Sequence, residues 1–295
     1  MVNFILPQFE YYLEPKAIIM KKYFKTPLLL VSLLFFTSCF RVQTVVTVYK
    51  DGSGIITEKV MMSKAFTEMM RSFGSSFGDP EEEKEPFSLY DEEELISEAS
   101  GYGEGVFFKS GKEVKEKDWE GYTVTYTFED ISKVRLNTKQ DEKVNTGMSS
   151  MDPTEEETKE DEFFYFTFNK GNPAELMIHR NEVAGKERQE EEDMMDAPGQ
   201  GMDAMGKEML KMFEGMRISM DVIVDGKIRE TNATYQKGAT ITLMDMDFGE
   251  MMNNKDAFME LTKEKPETTE ELEAFMGKFP GLKVELEQPI VVKFR

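Results

Sequence analysis

Residues 41–62 read RVQTVVTVYKDGSGIITEKVMM. The first nine, Arg41 to Tyr49, are largely β-branched and apolar, and Ile55 to Met62 resume the pattern after Lys50-Asp51-Gly52-Ser53-Gly54. The segment predicts a β-hairpin, because Asp51-Gly52 supplies the positive φ angles that a tight turn needs. Its repeated Asp and Gly invite comparison with a calcium loop. The alternating acidic ligands and closing glutamate of an EF-hand are missing, so a plain turn is the reading.

Hairpin patterns recur downstream. Trp119 to Asp130 has the cleanest alternation, with Tyr122, Val124, Tyr126 and Phe128 set against Thr123, Thr125 and Thr127. One face is therefore buried and the other wet. Its predicted partner is Gly105 to Lys117. Phe163 to Phe168, FFYFTF, predicts a strand buried on both faces that turns at Asn169 to Pro173 into Glu175 to Arg180. Arg217 to Val224, Lys227 to Tyr235 and Thr240 to Met246 predict three more strands, joined by tight turns at Asp225-Gly226 and Lys237-Gly238. Val284 to Phe294 reads as a closing strand, and Pro289 places it at an edge or a bulge.

Helical spacing marks Ala65–Phe73, Ser88–Ala99, Met202–Met216, Asn254–Leu261 and Glu267–Met276, with Ser88 a candidate N-cap. Hairpins outnumber any βαβ pattern. The expected fold class is α+β: an antiparallel sheet of hairpins with helices packed on one side. Segments near 74–86, 137–160 and 182–201 are acidic and lack apolar periodicity, so they read as disordered insertions.

Upstream of the hairpin, Met20 to Cys39 reads MKKYFKTPLLLVSLLFFTSC. Lys21, Lys22 and Lys25 precede an apolar run, Pro27 to Phe36, of signal-peptide length and too short to span a bilayer. Phe36-Thr37-Ser38-Cys39 resembles the lipobox of bacterial lipoproteins, in a form common in the Bacteroidetes. That resemblance implies cleavage before Cys39, its thioether lipidation and acylation of the new amino terminus. Residues 1–19 fit poorly, since Glu10 and Glu14 put acid where a basic head belongs, and translation is expected to start at Met20. The expected organisation is an upstream stretch at 1–19, a signal peptide at 20–38 and one envelope domain at 39–295.

Residues 1–38 hold four of the 36 basic and two of the 57 acidic side chains, which leaves a net charge near −23 for the remainder. Such a charge repels nucleic acid, whose phosphates need Lys and Arg. With Cys39 the only cysteine, lipidation would leave no intramolecular disulfide or thiolate metal site. Packing must hold the fold together.

Catalytic signatures are scarce. His179 is the only histidine, which removes most His-dependent triads and every multi-histidine metal site, and its strand position predicts an exposed side chain. Ser63-Lys64 lacks the spacing of Ser-Lys chemistry. Asp245 and Asp247 share a strand face that could hold a hard cation, although such alternation is ordinary on a wet face. Trp119, the only tryptophan, is read as core or rim packing rather than a ligand-stacking residue. No cofactor motif is present. Binding is favoured over catalysis.

The methionines suggest more. Met202, Met205, Met209, Met212 and Met216 are spaced as one stripe of a helix. Three readings stay open for that stripe: core packing, an adaptable apolar groove, or a Cu(I) site.

The Asp51-Gly52 hairpin near the expected anchor and GKIRETNATYQKGATITL, Gly226 to Leu243, resemble the LppM-type lipoprotein domain of bacterial envelopes. The resemblance implies an envelope-facing domain with an apolar groove that accepts lipid or glycolipid. The functional expectation is a lipid-anchored, non-catalytic binding or structural module, with the membrane as one partner through Cys39 and a lipid or an envelope protein as another. A methionine-rich Cu(I)-handling protein is the alternative. Phe40 to Thr44 lack an acidic surface-export cluster, so the expected location is the periplasmic face, at the outer membrane.

Overall fold

The computed structural model describes residues 40–68, 71, 88–137, 163–181, 215–253 and 269–295. All of them belong to the unit Phe36–Arg295. The signal segment, the bulk of the three expected insertions, the predicted helix at Asn254–Leu261 and four of the five stripe methionines lie outside the described residues.

The hairpin at 41–62 forms as its sequence dictates. Strand β1 (Phe40–Val48) pairs antiparallel with β2 (Gly54–Ser63) from Phe40↔Met62 to Val48↔Gly54. Val42, Val46 and Val48 of β1 and Ile56 and Val60 of β2 point inward because side chains alternate along a strand. At the turn Gly52 has φ +89°, and a Cβ there would lie 2.7 Å from the Phe168 ring. Only glycine meets both conditions without strain.

Eight strands make the first sheet. Beside β2 lies β4 (Trp119–Phe128) and, at one edge, β3 (Val106–Lys115). On the other side β1 pairs in parallel with β8 (Arg217–Val224), from Arg41↔Arg217 to Val48↔Val224. Strand β11 (Thr240–Asp247) follows antiparallel to β8, flanked by the short β10 (Gln236–Lys237) and β12 (Leu282–Val284).

The second sheet is antiparallel, in the order β5 (Arg135–Asn137), β6 (Phe163–Asn169), β7 (Ala174–Asn181), β13 (Ile290–Phe294), β9 (Ile228–Thr231). Its inward side chains, among them Phe164, Phe166, Leu176, Ile178, Val292 and Phe294, join those of the first sheet in one core. At the hairpin-turn end Asp225 N–H donates to Val48 O and prolongs the β1–β8 pairing, Ile131 N–H donates to Gly52 O of the β1–β2 turn, and Lys227 and Arg295 exchange a backbone pair that prolongs β9–β13.

This corrects the expected α+β class: the fold is mainly β, and a second sheet stands where a helical layer was expected. Besides a helical stretch at 64–68, the described α-helices are short and peripheral: α1 (Glu92–Glu98), α2 (Phe248–Asn253) and α3 (Thr269–Met276). Helix α1 buries Leu95, and its N-cap is Asp91, which accepts from Glu93 and Glu94 N–H, rather than the expected Ser88. Strand β6 buries one face only, Phe164 and Phe166 inward and Tyr165 exposed, against the reading of burial on both faces.

Two local expectations also change, for one physical reason. Asp225-Gly226 does not close a hairpin between β8 and β9, because β9 leaves for the second sheet. The expected closing strand from Val284 likewise divides into β12 in the first sheet and β13 in the second, with a cis Gln288–Pro289 bond between. Turn residues reverse or redirect a chain equally well, and which they do depends on the partner strand offered.

Candidate functional site

The start of β1 defines one end of the first sheet. Across that end run Asp247 of β11, Arg217 of β8, Arg41 of β1, Met61 of β2 and Gly121 of β4. Position 40 is the first described residue, so Cys39, the expected lipidation site, adjoins this end and lies outside the described residues. Arg41 and Trp119 both stand on the outward face, and the Arg41 guanidinium sits 4.0 Å from the Trp119 ring centroid. Arg41 Nε–H also donates to Gly215 O at 3.2 Å. Such stacking is favourable because the ring face is electronegative. Trp119 is thus a half-buried rim residue holding a cation.

After β2 the chain enters helical backbone at 64–68. Ser63 Oγ accepts from Phe66 N–H, which makes it a turn residue. Lys64 Nζ donates to Lys117 O at 3.0 Å, and Lys64 N–H donates to Asp118 O. Arg71 pairs at 2.7 Å with the nearly buried Glu120, which also accepts from the Thr67 hydroxyl.

Asp245 and Asp247 are not joined into a cation site. Asp245 accepts from Arg217 Nε and Nη2 at 2.9 and 3.2 Å and from Lys283 Nζ at 3.2 Å. Burial pushes its carboxyl up, but those hydrogen bonds and the two positive charges outweigh burial and hold it below the ordinary 3.8. Asp247 instead accepts from Glu250 N–H at the first turn of α2. Gln43, Ser219, Asp221, Lys237 and Thr242 border the same outward depression of about 370 Å³. Its charges are of both signs and largely paired with one another.

The core holds a polar cluster that sequence reading missed. Glu58 is fully buried on the inward face of β2 and accepts from the Tyr102 hydroxyl at 2.5 Å. Tyr102 arrives on the 3₁₀ turn Ala99–Tyr102 after α1, and its ring tilts against Tyr126 with centroids 5.0 Å apart. Tyr122 and Tyr126 line the same region, and the Tyr126 hydroxyl has no hydrogen-bond partner among the described residues. All three phenols titrate above the ordinary range. Burial is the main cause, and the Glu58 and Glu98 carboxylates add to it. The cluster sets one acid among three tyrosine rings inside the core. The signal for it was Glu58 itself, an acid at an inward position of an otherwise apolar alternation.

Glu285 is a second buried acid. Its Oε2 accepts from Thr234 N–H at 2.6 Å and Tyr235 N–H at 3.1 Å, and its Oε1 accepts from Glu287 N–H. Two chain segments that leave the sheets are thereby tied together.

On the outward face of the second sheet His179 is half-buried rather than exposed. Its ring stacks on Tyr165 at 4.7 Å and 11°, and its Nε2 lies 3.3 Å from the Thr167 hydroxyl. Arg135 lies 5.0 Å from the Phe163 ring centroid beside them. Of the methionine stripe only Met216 is described; it packs against the core, and its carbonyl accepts from Phe248 N–H at the start of α2. Met202, Met205, Met209 and Met212 lie outside the described residues.

No family model matches this chain, and no curated protein matches it. Among solved structures, the folded domain of the Mycobacterium tuberculosis LppM protein, determined by NMR, aligns over 73% of this chain and 86% of that one, at 7% identity and a TM-score of 0.26. It is the domain type expected from the Asp51-Gly52 hairpin and Gly226 to Leu243. A likeness of that TM-score carries no argument about function.

Proposed function

We propose that the protein is a lipid-anchored, non-catalytic binding module of the bacterial envelope, held by lipid on Cys39 at the periplasmic face of the outer membrane. One observation supports the reading above the rest: the residue after Cys39 already begins β1, which is paired on both sides. A lipid at that position would join the bilayer to the interior of the sheet with almost no tether, because one extended residue spans only about 3.5 Å. Multiple acyl chains, at about 0.8 kcal/mol per buried methylene, bind a membrane far more firmly than a single myristoyl chain.

The ligand class that fits the reading is lipid or glycolipid. Packing of Met216 against the core favours an apolar role for the start of β8 over thioether ligation of Cu(I). Metabolic labelling with an alkyne fatty acid tests the anchor. Wild type is expected to label and Cys39→Ala to lose the label, and equal labelling refutes the assignment. Protease shaving of intact cells is expected to leave the domain untouched, and its removal would place it on the outer surface instead. Native mass spectrometry of the chain purified from its own envelope is expected to show co-purifying lipid.

A further inference from the structure

We propose that the Cys39-proximal end of the first sheet is a bilayer-docking foot, in which Trp119 enters the headgroup layer and Arg41, Lys64 and Lys117 meet the lipid phosphates. The inference rests on the lipid anchor of the preceding section and goes beyond it. It assigns a second, non-covalent contact with the membrane and fixes which way the domain stands.

The chain itself argues for the occupant. Cys39 precedes Phe40, and the headgroup layer of one leaflet is about 5–8 Å deep. An acylated Cys39 would therefore hold the first residues of β1, and what packs beside them, at headgroup depth. Arg41 and Trp119 are in direct contact there. Trp119 lies on β4, whose first residue pairs with Ser63 at the end of β2, one residue before Lys64. Lys64 Nζ in turn rests on the Lys117 carbonyl.

Charge pairing separates these cations from their neighbours. Lys59 is bound to Glu116, Arg71 to Glu120 and Arg217 to Asp245. Among the described residues Arg41, Lys64 and Lys117 form no salt bridge; the first two are held by backbone carbonyls and a ring, and the Glu116 carboxylate that feels the Arg41 charge is itself bonded to Lys59. Tryptophan beside Lys and Arg is the composition that settles at a membrane interface, where an amphipathic ring and long cationic stems each find both an apolar and a polar medium. Glu68 and Asp118 are exposed nearby and keep the patch from being strongly basic. One ring and three cations are too few to recruit the chain from solution. The foot acts once the anchor has raised the local lipid concentration.

The chain has one tryptophan and one cysteine, so the test is unambiguous. The full-length gene product, purified with its anchor and reconstituted into vesicles of phosphatidylethanolamine and phosphatidylglycerol, is expected to show blue-shifted Trp119 emission. Lipids brominated near the headgroup are expected to quench it. Lys64→Glu combined with Lys117→Glu is expected to abolish the quenching while far-UV circular dichroism stays unchanged. Emission insensitive to brominated lipid overturns the foot. A shift that follows protein density in the vesicle, and not bromination, overturns it in favour of a second copy covering the surface. Intact mass reports acylation separately. If it shows none, the full chain is coupled through Cys39 to a maleimide lipid: quenching then upholds the foot while the natural anchor falls, and absence of quenching overturns both.

Discussion

Glu285 ties Thr234, Tyr235 and Glu287 together by their backbone N–H groups, and it is 1% exposed. Glu285→Ala strips three donors of their acceptor at once and is expected to cost about 3 kcal/mol or more in urea unfolding, since charge-assisted bonds contribute about 1.5–3 kcal/mol each. The Glu58 cluster gives a paired test. Tyr102→Phe removes a donor from the buried Glu58 carboxyl group and is expected to cost about 1–3 kcal/mol, whereas Tyr126→Phe deletes a hydroxyl with no partner among the described residues and is expected to be neutral or stabilising. Equal losses from the two variants would contradict the assigned roles. The phenols also set an alkaline limit. Below the ordinary phenol value of 10.0, Tyr102, Tyr122 and Tyr126 are neutral in both the folded and the unfolded chain. Above it the unfolded chain releases protons that the folded chain keeps, so stability is full below pH 10 and falls as pH rises beyond it. Absorbance of tyrosinate, followed with circular dichroism, is expected to show these three ionising only as the protein unfolds.

Individual strands are set by side-chain alternation, and their assembly is set by where redirecting turns send them. The β1–β2 hairpin and β4 were legible because Val42, Val46, Ile56, Tyr122, Val124 and Tyr126 repeat at period two beside a glycine turn or a threonine row. Strand β8 was legible from Ile218 to Val224 for the same reason. Sheet membership was not, because Asp225-Gly226 carries the turn chemistry of a hairpin while the carbonyl of Arg295, remote in sequence, decides the outcome. Gly226 has φ +156°, and a Cβ there would lie 2.6 Å from that carbonyl oxygen. Gly226→Ala is therefore expected to destabilise by about 1–3 kcal/mol through strain and local displacement. An alanine variant as stable as wild type in thermal unfolding would show that the crossing tolerates a side chain. Of the candidate site, the outward stance of Arg41 could be read from β1. Its contact with Trp119 could not, since it bridges two strands that only tertiary pairing brings near.

At the scale of the whole molecule, both sheets draw on one core, and the last residues serve both. Strand β12 extends the first sheet beside β11, and β13 lies between β7 and β9 in the second. Wild type is expected to unfold in a single transition whether followed by tryptophan emission or by far-UV circular dichroism. A chain ending before Leu282 is expected to lose cooperative unfolding altogether, and a surviving sharp transition would mean that the sheets fold independently. The parallel pairing of β1 with β8 carries a consequence in time. A chain delivered from its amino end presents β1 long before β8, which follows only after residue 216. Until then one ladder of β1 stays open, a template for any passing strand. The rate at which the intervening chain arrives, rather than stability, therefore governs how long that edge must be guarded.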